Sequence, residues 1–104
     1  MFTLDDLAET IARRADASAD QSYTRSLLDK GAAYCARKFG EEAIELAIAA
    51  AAEGEDAVRT EAADVLYHLL VVLQARGVAF QSVMSELQGR TRQSGYEEKA
   101  SRKG

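Results

Sequence analysis

The sequence predicts an all-α fold: apolar residues recur at spacings of three and four, no proline interrupts them, and glycines supply the breaks. A first helix is expected from about Leu4 to Ala15, with Thr3 as its cap and Asp5 and Asp6 against the positive end of the helix dipole. Its apolar stripe is Leu4, Leu7, Ala8, Ile11 and Ala15. The polar run ADASADQS ends it. From Tyr23 a short helix carries Leu27 and Leu28 to Gly31, where a bend is expected, and a longer helix continues to about Ala52. The run EGED, Glu53 to Asp56, makes the next turn. The helix from about Ala57 to Arg76 is apolar on nearly every side between Val65 and Leu73, so it needs neighbours on more than one face and is the central helix. Gly77 ends it, and a final helix spans about Phe80 to Leu87 or slightly further. Residues from about 89 to 104 have no apolar period and read as a polar tail, loose or ordered only against something else.

With 104 residues the chain holds one domain, residues 1–104, with a single core. An apolar fraction of 47%, a charged fraction of 29% and a net charge of −4 exclude a disordered chain and argue against a nucleic-acid partner. The longest uncharged stretch, Val65 to Ala75, falls well short of the roughly 20 apolar residues that cross a bilayer. No membrane partner is expected. Met1 is followed closely by Asp5 and Asp6 rather than by a basic region and an apolar run, so no secretory signal is read and a cytoplasmic location is expected. Cys35 is the sole cysteine, which excludes an internal disulfide and a multi-cysteine metal site. It reads as a small buried or half-buried apolar residue. A central helix that is apolar all round has too few neighbours in so short a chain, so dimerisation is expected, with the central helices of two subunits completing a bundle.

The acidic residues are unevenly placed. GEEAIEL, Gly40 to Leu46, and EAADVLYHLL, Glu61 to Leu70, each put carboxylates into an otherwise apolar helix. Glu42 and Glu45 are three residues apart, as are Glu61 and Asp64, so each pair shares a helix face. The short EGED turn makes the two helices antiparallel, and that register sets Glu45 level with Glu61 and Glu42 level with Asp64. Both stripes turn to alanine or valine beyond the acids, which marks an interrupted seam between helices rather than a face given to water. Carboxylates gathered at one level repel one another unless a cation neutralises them. Hard divalent ions take oxygen ligands, and Mg2+ is usually held by a few carboxylates together with phosphate oxygens. The pattern therefore reads as a magnesium site for a phosphorylated substrate, and hydrolysis of a pyrophosphate bond fits it. Lys38, one turn before Glu42, is placed to meet phosphates. A di-iron site would want Glu-x-x-His on two helices, and the one histidine, His68, has Val65 three residues before it. His68 reads as a hydrogen-bonded core residue. A solvated acidic surface on a non-catalytic dimerisation module is the plain alternative.

Four segments, SYTRSLLDKG from Ser22, RKFGEEAIEL from Arg37, EAADVLYHLLVVL from Glu61 and SGYEEKASR from Ser94, together resemble the phosphoribosyl-ATP pyrophosphohydrolases of histidine biosynthesis. The paired acids alone reach only the wider all-α nucleotide pyrophosphohydrolases, some of which act on ordinary or damaged nucleoside triphosphates; the first and last segments narrow the resemblance. It implies an all-α homodimer that hydrolyses phosphoribosyl-ATP to phosphoribosyl-AMP and pyrophosphate with Mg2+, the second step of the pathway. Carried over, it makes Glu42, Glu45, Glu61 and Asp64 the magnesium ligands and sets Lys38 and Glu41 beside the phosphates. The general base is left between Glu41 and Glu45, since it must lie near the metal yet be free to take a proton. Tyr23, Thr24 and Lys30, with Lys99 and Arg102 in the tail, are implied to hold the phosphoribosyl and phosphate groups. Phe39 and Arg37 depart mildly from the usual pattern, where a smaller aliphatic residue and a lysine are more frequent.

Overall fold

In a computed structural model, which describes residues 1–92, the chain forms five helices and, among those residues, no strand. They are α1 (Leu4–Arg14), α2 (Tyr23–Asp29), α3 (Ala32–Ala52), α4 (Glu55–Arg76) and α5 (Phe80–Arg90). The expected order and number of elements hold, and the differences lie at the ends. Helix α1 starts as read. Thr3 Oγ1 accepts from the Asp6 amide at 3.1 Å while the Asp6 carboxylate accepts from the Thr3 amide at 3.0 Å, a reciprocal capping box. Ser22 caps α2 in the same manner, accepting from the Arg25 amide at 3.1 Å.

Gly31 is more than a bend. Its φ of +94° breaks the chain between α2 and α3, a backbone state that side chains other than glycine rarely adopt. Gly77, at φ +68°, closes α4 in the left-handed conformation, with the Val78 amide donating back to the Leu73 carbonyl at 2.9 Å. Helix α4 begins two residues earlier than the pattern indicated: only Glu53 and Gly54 separate it from α3, and Glu55 and Asp56 occupy its first turn, where acids oppose the helix dipole favourably. Helix α5 likewise runs past Leu87 to Arg90, into the stretch read as tail.

Helix α4 is central, packing against α1, α2 and α3. The core joins Ile11 of α1, Leu27 of α2, Cys35 of α3 and Leu70 and Val71 of α4, with Leu4, Leu7, Tyr67, Val72 and Phe80 packed around it. Cys35 is buried, as read; its Sγ donates to the Leu27 carbonyl at 3.3 Å, and burial pushes its thiol pKa up, away from reactivity. Helix α5 buries no residue of its own and leaves Met84 and Leu87 exposed; its contact with α1 includes a hydrogen bond from Gln81 to Asp5. Among the described residues no single helix is long and apolar enough to cross a membrane.

Candidate metal centre

The interrupted seam between α3 and α4 is where the acids meet. Two residues of turn leave the helices no course but antiparallel, and the register then brings Glu45 against Glu61. Glu42, Glu45 and Glu61 each offer a carboxylate oxygen, and these oxygens all lie within 4.8 Å of one another. Glu42 and Glu61 are half-buried and Glu45 is exposed, so the group is walled on the protein side and open on the other. Asp64 stands outside this tight group but close enough for its charge to act on both Glu42 and Glu61.

The electrostatics are those of an anionic cluster. Burial raises the Glu42 pKa above the usual carboxylate value, reinforced by a hydrogen bond with Glu45 and by the charges of Glu45 and Asp64, with Lys38 pulling the other way. Burial likewise raises Glu61, helped by the charge of Glu45 and hydrogen bonding to it, and by Asp64 and Glu53. The buried Oε2 of Glu61 has no hydrogen-bond partner. A buried carboxylate oxygen without a donor is unfavourable in a folded chain, and a hard cation among three such groups would satisfy it. The donor set therefore fits a magnesium ion.

The pKa directions carry a stability consequence. At neutral pH the folded chain holds Glu61 ionised in an unfavourable place; below the raised pKa the folded state keeps a proton that the unfolded state has released, so the penalty fades as pH falls towards the ordinary carboxylate range. Without metal, Glu61→Gln should melt above wild type at pH 7.5, with the gap closing at about pH 4.5. A gap that is absent, or that widens with acid, would contradict this account of the cluster. Taking the difference between the two proteins removes the opposite trend of His68. Burial first, and then the Lys38 charge, lower its pKa, with Asp64 pulling the other way, and its neutral folded form is lost in favour of a protonated unfolded one as pH falls below about 6.5.

Lys38 lies at the inner end of the cluster, its Nζ 3.8 Å from Glu42 and 3.9 Å from the exposed Glu41. Burial alone would depress the ammonium, but the charges of Glu41, Tyr23, Glu42 and Tyr34 outweigh it and hold the pKa above the usual lysine value. At neutral pH it is a cation, as a phosphate contact requires.

Of the other sequence-derived residues, Tyr23 is 60% exposed and its ring stacks at 6.3 Å from Tyr67. Thr24 is fully buried, and its hydroxyl shares a 2.6 Å hydrogen bond with the Tyr67 hydroxyl, so in this structure it ties α2 to α4. Lys30, at the end of α2, sits over the Tyr34 ring. Lys99 and Arg102 lie outside the described residues. His68 is buried as read, but its Nδ1 has no hydrogen-bond partner and its ring meets the Tyr67 ring edge-on at 5.1 Å. Sequence reasoning passed over Tyr67 and Tyr34; the spacing of Lys30, Tyr34 and Arg37, four and then three, was the available signal for the second.

The comparison with known proteins bears on the same segments. The profile of the phosphoribosyl-ATP pyrophosphohydrolase family matches residues 4–91. A phosphoribosyl-ATP pyrophosphatase of Azorhizobium caulinodans is 59% identical over 100 residues, covering 96% of this chain and 92% of that protein. Phosphoribosyl-ATP pyrophosphatase 1 of Bradyrhizobium diazoefficiens is 57% identical, covering 98% and 96%, and its namesake in Rhodopseudomonas palustris is 53% identical, covering 98% and 95%. With a match that runs from α1 to the end of α5 and includes all the acids of the cluster, the chain belongs to the phosphoribosyl-ATP pyrophosphohydrolase family.

Proposed function

We propose that the protein hydrolyses phosphoribosyl-ATP to phosphoribosyl-AMP and pyrophosphate in histidine biosynthesis, using Mg2+ held by Glu42, Glu45, Glu61 and Asp64. The observation that carries this reading is the convergence of Glu42, Glu45 and Glu61 within 4.8 Å, with a donorless oxygen on Glu61, in a chain that belongs to this family. When bound, magnesium supplies Lewis-acid polarisation of the phosphoryl oxygens and makes water easier to deprotonate. The chain's own residues do the rest. Glu42 and Glu61, half-buried on the protein side of the cluster, would hold the ion. Lys38 meets the phosphate charge. Glu41 and Glu45 are both exposed beside the cluster, and one of them takes the proton of the attacking water as general base. Tyr23, Thr24 and Lys30 serve the phosphoribosyl end, Thr24 through its hold on Tyr67, and Lys99 and Arg102 add positive charge from the tail.

Pyrophosphate release from phosphoribosyl-ATP, with and without Mg2+ and with ATP and deoxynucleoside triphosphates in parallel, tests the assignment. Magnesium-dependent release from phosphoribosyl-ATP in strong preference to the others is the expected result. Release mainly from ordinary triphosphates would assign the same chemistry to a house-cleaning enzyme, and no release would leave a helical interaction module.

The working form is a homodimer. Ile44 (63% exposed) and Ile48 (53%) lie one turn apart on α3, Leu66 (41%) is exposed on α4, and α5 buries nothing. Such a face on a single small domain marks an interaction surface. Each isoleucine covered at an interface contributes about 1.5–3 kcal/mol, so Ile44→Asp/Ile48→Asp should weaken association by at least about 100-fold. Sedimentation at micromolar concentration should show a dimer for wild type and a monomer for the double variant; a wild-type monomer would overturn the assignment.

A further inference from the structure

We propose that Lys30, Tyr34 and Arg37 form a second anion clamp, apart from the acid cluster, that binds the phosphate of the phosphoribosyl arm and so selects phosphoribosyl-ATP over ATP. The inference rests on the reading of the chain as a phosphoribosyl-ATP hydrolase. Tyr34, Lys38, Glu42 and Glu45 follow one stripe of α3 at spacings of four, four and three, so Tyr34 continues the face that carries the cluster. Two cations converge on its ring: Lys30 Nζ lies 4.7 Å from the centroid and Arg37 Cζ 5.1 Å. Ring and cation attract each other, while like charges brought to one ring repel.

Neither cation has a carboxylate within ion-pair distance among the described residues, a state they share with Arg13, Arg14, Arg76 and Arg92; what sets them apart is that both are brought to one ring. An anion seated beside the ring would offset the repulsion between the two cations. Arginine offers a planar fork matched to phosphate oxygens and lysine a mobile point charge, the usual pair for holding a phosphate monoester.

The substrate's shape meets this arrangement. Phosphoribosyl-ATP bears phosphate on two separate arms of one purine nucleotide, and ATP on only one. Tyr34 lies about 12 Å along the helix axis from Glu42, eight residues at 1.5 Å each. With the triphosphate at the acids, a second phosphate reaching back along this stripe would meet Tyr34 and its two cations.

The test compares wild type with Arg37→Met and Lys30→Met on phosphoribosyl-ATP and on the same compound with the phosphoribosyl 5′-phosphate removed, with circular dichroism to confirm the helices. Wild type should prefer the intact substrate by at least tenfold in kcat/KM. Each substitution should raise KM for the intact substrate by about tenfold, equivalent to losing one charge-assisted contact, with the loss in KM rather than kcat and little change on the dephosphorylated compound. Tyr34→Phe, which keeps the ring, should retain more of this discrimination than Tyr34→Leu. Equal losses on both compounds, with wild-type turnover intact, would overturn the clamp alone. Wild type inert on phosphoribosyl-ATP would overturn the assignment beneath it, and the clamp with it.

Discussion

Glu61→Gln is expected to lower kcat/KM for phosphoribosyl-ATP by more than about 100-fold while leaving the helices intact. Removing a group that merely supports a metal ligand already costs about 10–100-fold, and Glu61 is assigned as a ligand itself. The fold should survive because the change relieves a donorless buried oxygen among like charges rather than breaking a contact. Glutamine keeps the shape and loses the charge, so the effect isolates the electrostatic role. Excess Mg2+ should recover only part of the activity. Steady-state kinetics beside a melting curve check both halves, and a variant that turns over at the wild-type rate would remove Glu61 from the site.

The second large effect is on stability. Leu27 is 2% exposed and joins α2 to the core residues Ile11, Cys35, Leu70 and Val71. Leu27→Ala should cost about 2–5 kcal/mol, from the lost transfer energy and the cavity left behind. For a domain of this size each kcal/mol shifts Tm by about 4–8 °C, so a fall of at least about 8 °C is expected. Leu27→Met, which conserves volume, should cost less than about 1.5 kcal/mol. The damage should reach function too, since a seven-residue helix has little stability of its own and α2 carries Tyr23 and Thr24. Thermal unfolding of the two variants against wild type checks this, and an unchanged Tm for Leu27→Ala would show that α2 is not anchored through this residue.

What the sequence made legible follows from which forces are local. The α1 cap needed only Thr3 and Asp6 three residues apart, and the α3/α4 register needed only helical period and a short turn; both are found as read. The pairing of Glu45 with Glu61 followed from that register, and with it the centre of the acidic cluster. The start of α4 was misplaced because Glu55 and Asp56 read equally well as turn or as first-turn acids, and the dipole decides between them. The Thr24–Tyr67 bond was not legible, because it joins residues 43 apart across two helices whose relative rotation no local pattern encodes. Asp64 shows a similar limit: helical spacing fixes its face, but side-chain reach leaves it outside the tight group of three.

The claim on which the account turns is that the α3 and α4 acids make one metal site. The most direct test is titration with Mn2+ as a paramagnetic substitute for Mg2+, following the free ion by electron paramagnetic resonance. Wild type is compared with a Glu42→Gln/Glu45→Gln/Glu61→Gln variant of matching helicity. Saturable binding to wild type that Mg2+ displaces, and its loss in the variant, is the result the account predicts. Equal binding to both proteins, or none to wild type, would contradict it.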